Sequence, residues 1–179
     1  SMPETMNFWV LFYRTDVLEK LGIDPPNSMQ DVIDMLPELQ MRGLNFYYPT
    51  AGMLSMRNFH GTTPLLMQNG GSLYYATAQE GTALGSRSSV KGFRALTDLF
   101  TIYNMPVNVD NFYQHFRNGD YPIGIADFYT YNLIRNAAPE LDGSWAIALI
   151  PGTEQEDGAI DRTTCGCADS TVIFRSDEE

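Results

Sequence analysis

Residues Met6 to Tyr13 read MNFWVLFY, a nearly continuous apolar and aromatic run with no helix breaker. A run this short and this apolar reads as a β-strand buried on both faces, because a half-exposed strand would alternate apolar with polar side chains. Such a strand belongs in the middle of a sheet with helices packed on it. The helical signals that follow supply that cover. A helix is expected from Thr15 through Leu21, with Asp16 in its first turn and Gly22 closing it. Asp24-Pro25-Pro26-Asn27 cannot continue a helix. Ser28 then caps a second helix to about Met41, with Asp31 as capping-box partner and Val32, Met35, Leu36 and Leu39 on one face.

Further along, Leu44 to Tyr48 reads as a short aromatic strand, and Pro49 to His60 as loop or partial helix. Thr62 or Thr63 can cap a short helix with Pro64 at its first position, running to Gln68, before Asn69-Gly70-Gly71 turns the chain. Ser86 opens the most periodic segment, in which Val90, Phe93, Leu96 or Thr97, Phe100 and Tyr103 recur at helical spacing. A short amphipathic helix is expected from Asn111 to Arg117, a strand from Tyr121 to Ala126, and a helix from Asp127 to Ala138. Trp145 to Ile150 and Ser170 to Phe174 read as the last strands, separated by an acidic surface loop over Thr153 to Arg162. The pattern is mixed α/β, one unit without internal repeat. A chain of 179 residues with 44% hydrophobic side chains can bury a core of that kind. Strands at both extremes read as an inner piece cut from a larger fold, and Ser1 before Met2 reads as a cloning remnant, so the chain's start carries no information on localisation.

Charge and motif content exclude several functions. A formal net charge of -11 repels phosphate backbones and anionic lipid, which leaves nucleic acid and membrane surfaces as poor partners. No apolar run reaches the roughly 18 residues of a transmembrane helix. Cys165 and Cys167 flank one glycine, too close in sequence for disulfide geometry, and His60 and His115 stand at no metal-ligand spacing, so no metal site and no cofactor are expected. Phosphate-loop, GxSxG and HExxH patterns are missing. Asp120 with Asp127 could be imagined as a glycosidase pair, but surface and cap roles are the default for carboxylates in an acidic chain. Aromatic residues make up 12% of the chain and gather at element ends beside polar groups, as in Asn45-Phe46-Tyr47-Tyr48, Ser72-Leu73-Tyr74-Tyr75 and Asp127-Phe128-Tyr129-Thr130-Tyr131-Asn132. Sugars are held in this way, stacked on a ring while planar polar groups bond the hydroxyls.

The ordered segments FWVLFYRTDVLEKLGIDPP, SMQDVIDMLPELQMRGLNFYYP, PLLMQNGGSLY, SVKGFRALTDLFTIYNMP, FRNGDYPIGIADFYTYN and the W-x-I-x-x-I-P-G-T step resemble family 1 extracellular solute-binding proteins, the maltose-binding-like receptors of ABC importers. The likeness covers nearly the whole chain. It implies one lobe, the second, of a two-lobed periplasmic-binding-protein-like fold of type II: a mixed sheet packed with helices, with residues 1–13 and 166–175 as hinge-proximal strands. The amino-terminal lobe and later helices of the receptor would lie outside this chain. By the same resemblance the protein is no enzyme, its ligand is a solute such as a sugar, and its partners are ABC permease subunits. It would work outside the cell or in the periplasm, as a lipoprotein in full-length form.

Carried onto this sequence, the family's sugar-stacking aromatic falls on Tyr129, with Tyr131 and Asp127 beside it. A second contact region falls on Asn58, Phe59, His60 and Thr63, where the maltose receptor carries acidic and aromatic groups, and Arg57 adjoins it. Tyr13 and Trp9 on the entering strand are weaker candidates. A ligand-sensing module within a larger protein is the alternative to import.

Overall fold

The computed structural model describes residues 2–50, 55–76, 81–107 and 109–172, without the side chains of Pro3 and residues 55–60. Strand β1 (Met2–Arg14) organises it, and its two halves live in different surroundings. From Trp9 onward it is central, with β3 (Ile123–Asp127) antiparallel on one side and β4 (Trp145–Ala148) antiparallel on the other. β2 (Phe46–Tyr47) adds to β3 in parallel and completes the order β2-β3-β1-β4. From Met2 to Phe8, β1 pairs instead with β7 (Gly166–Thr171) in a two-stranded ribbon that runs off the sheet.

This division corrects the expectation of a strand buried throughout. Val10, Leu11 and Phe12 are buried, but Met6 is 73% exposed and Phe8 38%. Off the sheet, among the described residues, only Phe128 stacks on this half of the strand, at Phe8, and a two-stranded ribbon by itself cannot bury its side chains however apolar they are.

Alternation along β1 sorts the core into two layers. Leu11 faces α1 (Thr15–Leu21) and α2 (Met29–Met41), packing with Leu18, Val32, Leu36, Leu39, Ile123 and Ile125. Val10 and Phe12 face the other way, onto Tyr47, α5 (Phe112–Asn118) and α6 (Tyr129–Ala137) through Phe112, Phe116 and Ile134. Burying a side chain such as Phe12 contributes about 1.5–3 kcal/mol relative to exposure. The α5 side comes in close because residue 124 has no side chain: a Cβ there would meet Tyr47 Cβ at 2.5 Å and the Phe112 ring at 2.9 Å.

The caps of α1 and α2 agree with the sequence reading. Gly22 takes up φ 66 at the end of α1. At α2, Ser28 Oγ accepts from Asp31 N at 3.1 Å while Asp31 Oδ2 accepts from Ser28 N at 2.8 Å, a complete capping box. Burial pushes the Asp31 carboxyl up, but the N–H groups of Ser28 and Asn27 and the Ser28 hydroxyl outweigh it and hold the group below its usual range.

Two helices differ from expectation. α3 runs unbroken from Ser55 to Gln68 with Pro64 inside it, not from a cap at Thr62 or Thr63. Pro64 forfeits one helical bond, but Leu65 and Leu66 beyond it are buried and the Tyr48 hydroxyl donates to Gly61 O at 2.8 Å, so packing carries the helix through. α4 (Arg87–Thr101) begins at the expected Ser86 cap, and Leu96, Phe100 and Tyr103 of the expected stripe pack on the core, but its first turns present other residues inward. Ser89, Gly92, Leu96 and Leu99 point inward, and Val90 and Phe93 are 40% and 54% exposed. Its small residues let it lie against α3, where a Cβ on residue 92 would meet Leu66 Cα at 2.5 Å and Leu65 O at 2.7 Å.

The remaining pieces are a 3-10 turn (Pro139–Leu141) and the small ribbon of β5 (Thr153–Glu154) with β6 (Ile160–Asp161). That ribbon and the segment after it are tied to the end of α3 by Gln68, which is 1% exposed. Its Nε2 donates to Thr163 O at 3.0 Å, its Oε1 accepts from Thr153 Oγ1 at 3.1 Å, and its carbonyl accepts from Gln155 at 2.9 Å.

Candidate functional site

β3 runs through the sheet centre as IGIAD, buried from Ile123 to Ala126, and ends at Asp127 just where β1 leaves the sheet for the ribbon. The next residue, Phe128, is already helical (φ -60, ψ -20) and its N–H donates to Phe8 O at 2.8 Å, so the turn from β3 into α6 is fastened to the start of the ribbon. Asp127 Oδ1 accepts from Thr130 N at 3.3 Å and from Thr130 Oγ1 at 3.4 Å, a local tie over the first turn of α6. Tyr129 stands on that first turn, 71% exposed, and its hydroxyl makes no hydrogen bond among the described residues.

The residues on either side of Tyr129 enter an aromatic stack. Phe128 is sandwiched between Phe8 (centroids 5.1 Å, 11° between planes) and Tyr131 (5.5 Å, 8°). Tyr131 leans on Trp145 at 5.4 Å, and Trp145 stacks on the buried Phe12 at 6.1 Å. Offset and tilted pairs of this kind contribute about 0.5–1.5 kcal/mol each beyond area burial. The turn that carries the exposed Tyr129 is therefore anchored to the core through its neighbours Phe128 and Tyr131. Tyr131 and Trp145 also line an open depression of about 610 Å³ with Arg135, Asp142 and Ile147.

The other sequence candidates fall in two places. Thr63 is buried in α3 and hydrogen-bonds the Cys165 thiol, whose pKa burial pushes up and this bond partly restores. Cys165 precedes Gly166, the partner of Phe8 in the ribbon, so Thr63 belongs to the same end of the sheet as Asp127. Asn58, Phe59 and His60 lie on the first turns of α3, with their side chains outside the described residues, as is that of Arg57. Tyr13 is elsewhere. It pairs with Ile123 and Ala146, four residues along β1 from the Trp9–Asp127 pair, or roughly 13 Å at about 3.3 Å per residue. Trp9 is half-buried and packs on the core beside a cleft with Tyr48, Pro64 and Ile150.

Phe8, Phe128 and Cys165 are not among the ligand-site candidates of the sequence. The period-two pattern of β1 could have found the first, since it sets Phe8 on the face of Val10 and Phe12. Among the described residues no three His, Cys, Asp or Glu side chains are placed to hold a metal ion. Cys165 and Cys167 are free thiols, and among the described residues no helix is long and apolar enough to cross a membrane.

Comparison with known proteins adds a family. The family described as bacterial extracellular solute-binding protein matches residues 2–170. Among solved structures, the maltose-bound MalE3 of T. maritima superposes with a TM-score of 0.74 at 18% identity, over 94% of this chain and 44% of that one. An ABC transporter solute-binding protein from Thermotoga lettingae bound with alpha-D-tagatose gives 0.69 at 20% identity, covering 93% and 43%. The ABC substrate-binding protein Lmo0181 from Listeria monocytogenes, in complex with cycloalternan, gives 0.67 at 19% identity, covering 86% and 39%. The chain thus spans less than half the length of these structures, and its mixed α/β fold matches part of theirs. No curated protein sequence matches it.

Proposed function

The chain belongs to the bacterial extracellular solute-binding protein family, whose members are binding proteins and not enzymes, and from that premise we propose that it is one lobe of a receptor that captures a carbohydrate for an ABC importer. The observation that carries the reading is Tyr129: a large ring open to solvent on the first turn after the central strand β3, on a turn fastened to the ribbon by the Phe128 N–H bond to Phe8 O. A face of this kind suits the apolar side of a pyranose, and Asp127 beside it suits the hydroxyls. Thr63 and the start of α3, with Asn58, Phe59 and His60, belong to the same pocket in this proposal, with Tyr131 on the next turn of α6 beside it. The tagatose, maltose and cycloalternan held by the similar structures support a sugar as ligand class.

The β1–β7 ribbon is the hinge in this proposal. Its exposed strands lead off the sheet at the end where Tyr129 stands, so a second lobe carried on them would close over that ring. Binding free energy is then divided between two lobes, and this chain alone binds weakly. Closure presents both lobes to permease subunits, outside the cytoplasmic membrane, where the full-length receptor is held by a lipid anchor.

The test is calorimetry on the full-length receptor with the sugar that most raises its melting temperature in a thermal-shift panel. Tyr129→Ala should weaken binding roughly tenfold or more, with Tyr129→Phe close to wild type. Unchanged affinity in Tyr129→Ala removes the stacking role, and affinity of the isolated chain equal to that of the whole receptor removes the two-lobe reading.

A further inference from the structure

The face that α4 turns to solvent has a composition unlike the rest of this chain. Arg87, Lys91 and Arg94 are exposed along one side of the helix, within a protein of net charge -11. None of the three makes an ion pair among the described residues, whereas Arg14, Arg42 and Arg117 are held by Asp16, Glu38 and Glu140. Between and beside these cations stand Val90 and Phe93, the residues whose periodicity suggested a core and which the structure leaves 40% and 54% exposed. The helix cannot roll to bury them. Gly92 lies against the backbone of Leu65 and Leu66, and Ser89 exchanges hydrogen bonds with Ser72, accepting from its N–H at 3.1 Å and donating to its carbonyl at 3.1 Å.

We propose that this face docks the receptor onto acidic extracellular loops of its importer, with Phe93 and Val90 entering an apolar socket and the three cations pairing at its rim. The proposal rests on the receptor reading and adds a specific surface and sign of charge to it. A convex helix side offers no enclosure for a small solute, so its occupant is a macromolecule. Arg and aromatic side chains together are the composition of protein interfaces. The sign of the patch calls for acid opposite it. A sheet of anionic lipid supplies that sign too, but it would meet the whole chain at -11 and be repelled, whereas a loop need meet only the patch.

The experiment uses the full-length receptor and its ABC importer reconstituted in phosphatidylcholine liposomes, reading stimulation of ATP hydrolysis against receptor concentration. The charge reversal R87E/K91E/R94E should raise the half-saturating concentration roughly tenfold and flatten its salt dependence, while affinity for the sugar stays at the wild-type value. Phe93→Ser should weaken docking with the salt dependence intact. Wild-type stimulation that the reversal leaves untouched overturns the proposal alone, and a wild-type receptor that never stimulates the importer overturns it together with the uptake reading. Phe93→Cys that resists alkylation in the folded full-length receptor shows that another part of the receptor covers this face, which also overturns it. Salt-sensitive binding to phosphatidylglycerol vesicles without importer, lost on reversal, assigns the face to lipid instead.

Discussion

Replacing Gly92 by alanine separates two accounts of α4 by the sign of its effect. Helix propensity alone makes Gly92→Ala stabilising by about 1 kcal/mol, since glycine is among the poorest interior residues of a helix. The packing says otherwise. The added Cβ would lie 2.5 Å from Leu66 Cα, 2.7 Å from Leu65 O and 3.1 Å from Leu66 N, all backbone atoms of α3 that no side-chain rotation can clear. Relief requires the two helices to part by an ångström or so, opening the contact of Leu65 and Leu96 with the core. Overpacking of this severity costs about 3 kcal/mol, the upper end of its usual range. The net is a loss of about 2 kcal/mol, or a fall in Tm of about 4–8 °C for a chain of this size. Phe93→Ala is the companion measurement. On the periodicity of the sequence Phe93 is a core residue whose truncation costs about 3–5 kcal/mol, but at 54% exposure it should cost well under half of that. Thermal and urea unfolding of both variants checks the order: Gly92→Ala must be at least as damaging as Phe93→Ala. A Tm for Gly92→Ala at or above wild type would refute the orientation of α4 and, with it, the exposed basic face.

Further outcomes follow from other contacts. Gln68→Leu removes the bonds to Thr163 O and Thr153 Oγ1 from a site 1% exposed and should cost about 2–3 kcal/mol in urea unfolding, with faster amide exchange in the segment before β7; a smaller loss than about 1 kcal/mol would mean the hub is not needed. Ser28→Ala breaks the α2 capping box and should cost about 1 kcal/mol by the same assay. Asp16 and Asp31 both titrate below their ordinary range when folded, Asp16 through the hydrogen bond and charge of Arg14. Depressed folded values mean that their stabilisation is full above the unfolded value near 3.8 and disappears as pH falls through the folded value. Urea midpoints measured from about pH 5 down to about pH 2 should therefore decline, and Asp16→Asn should make the decline shallower; an equal slope in the variant would exclude Asp16 as a contributor.

Local chemistry is what the sequence alone determined. The strand at Val10 to Phe12, the glycine stop at Gly22, the capping box at Ser28 and the start of α4 at Ser86 each depend on residues within one turn or one strand, so their signals lie side by side in the chain. The position of Tyr129 on the first turn after β3 was legible for the same reason, and its place in the family came from the order of six segments. Tertiary structure decided whatever depends on who stands opposite. Met6 and Phe8 are as apolar as Phe12, but their half of β1 pairs with β7 off the sheet, so Met6 stays in solvent and Phe8 is covered only in part, by Phe128. Pro64 does not begin α3, because the buried Leu65 and Leu66 beyond it outweigh one lost hydrogen bond. The inner face of α4 belongs to Ser89 and Gly92, because close approach to α3 selects small residues where periodicity selects large ones. Hydrophobicity reports the wish of a side chain to leave water; only the neighbours that pack against it decide whether it can.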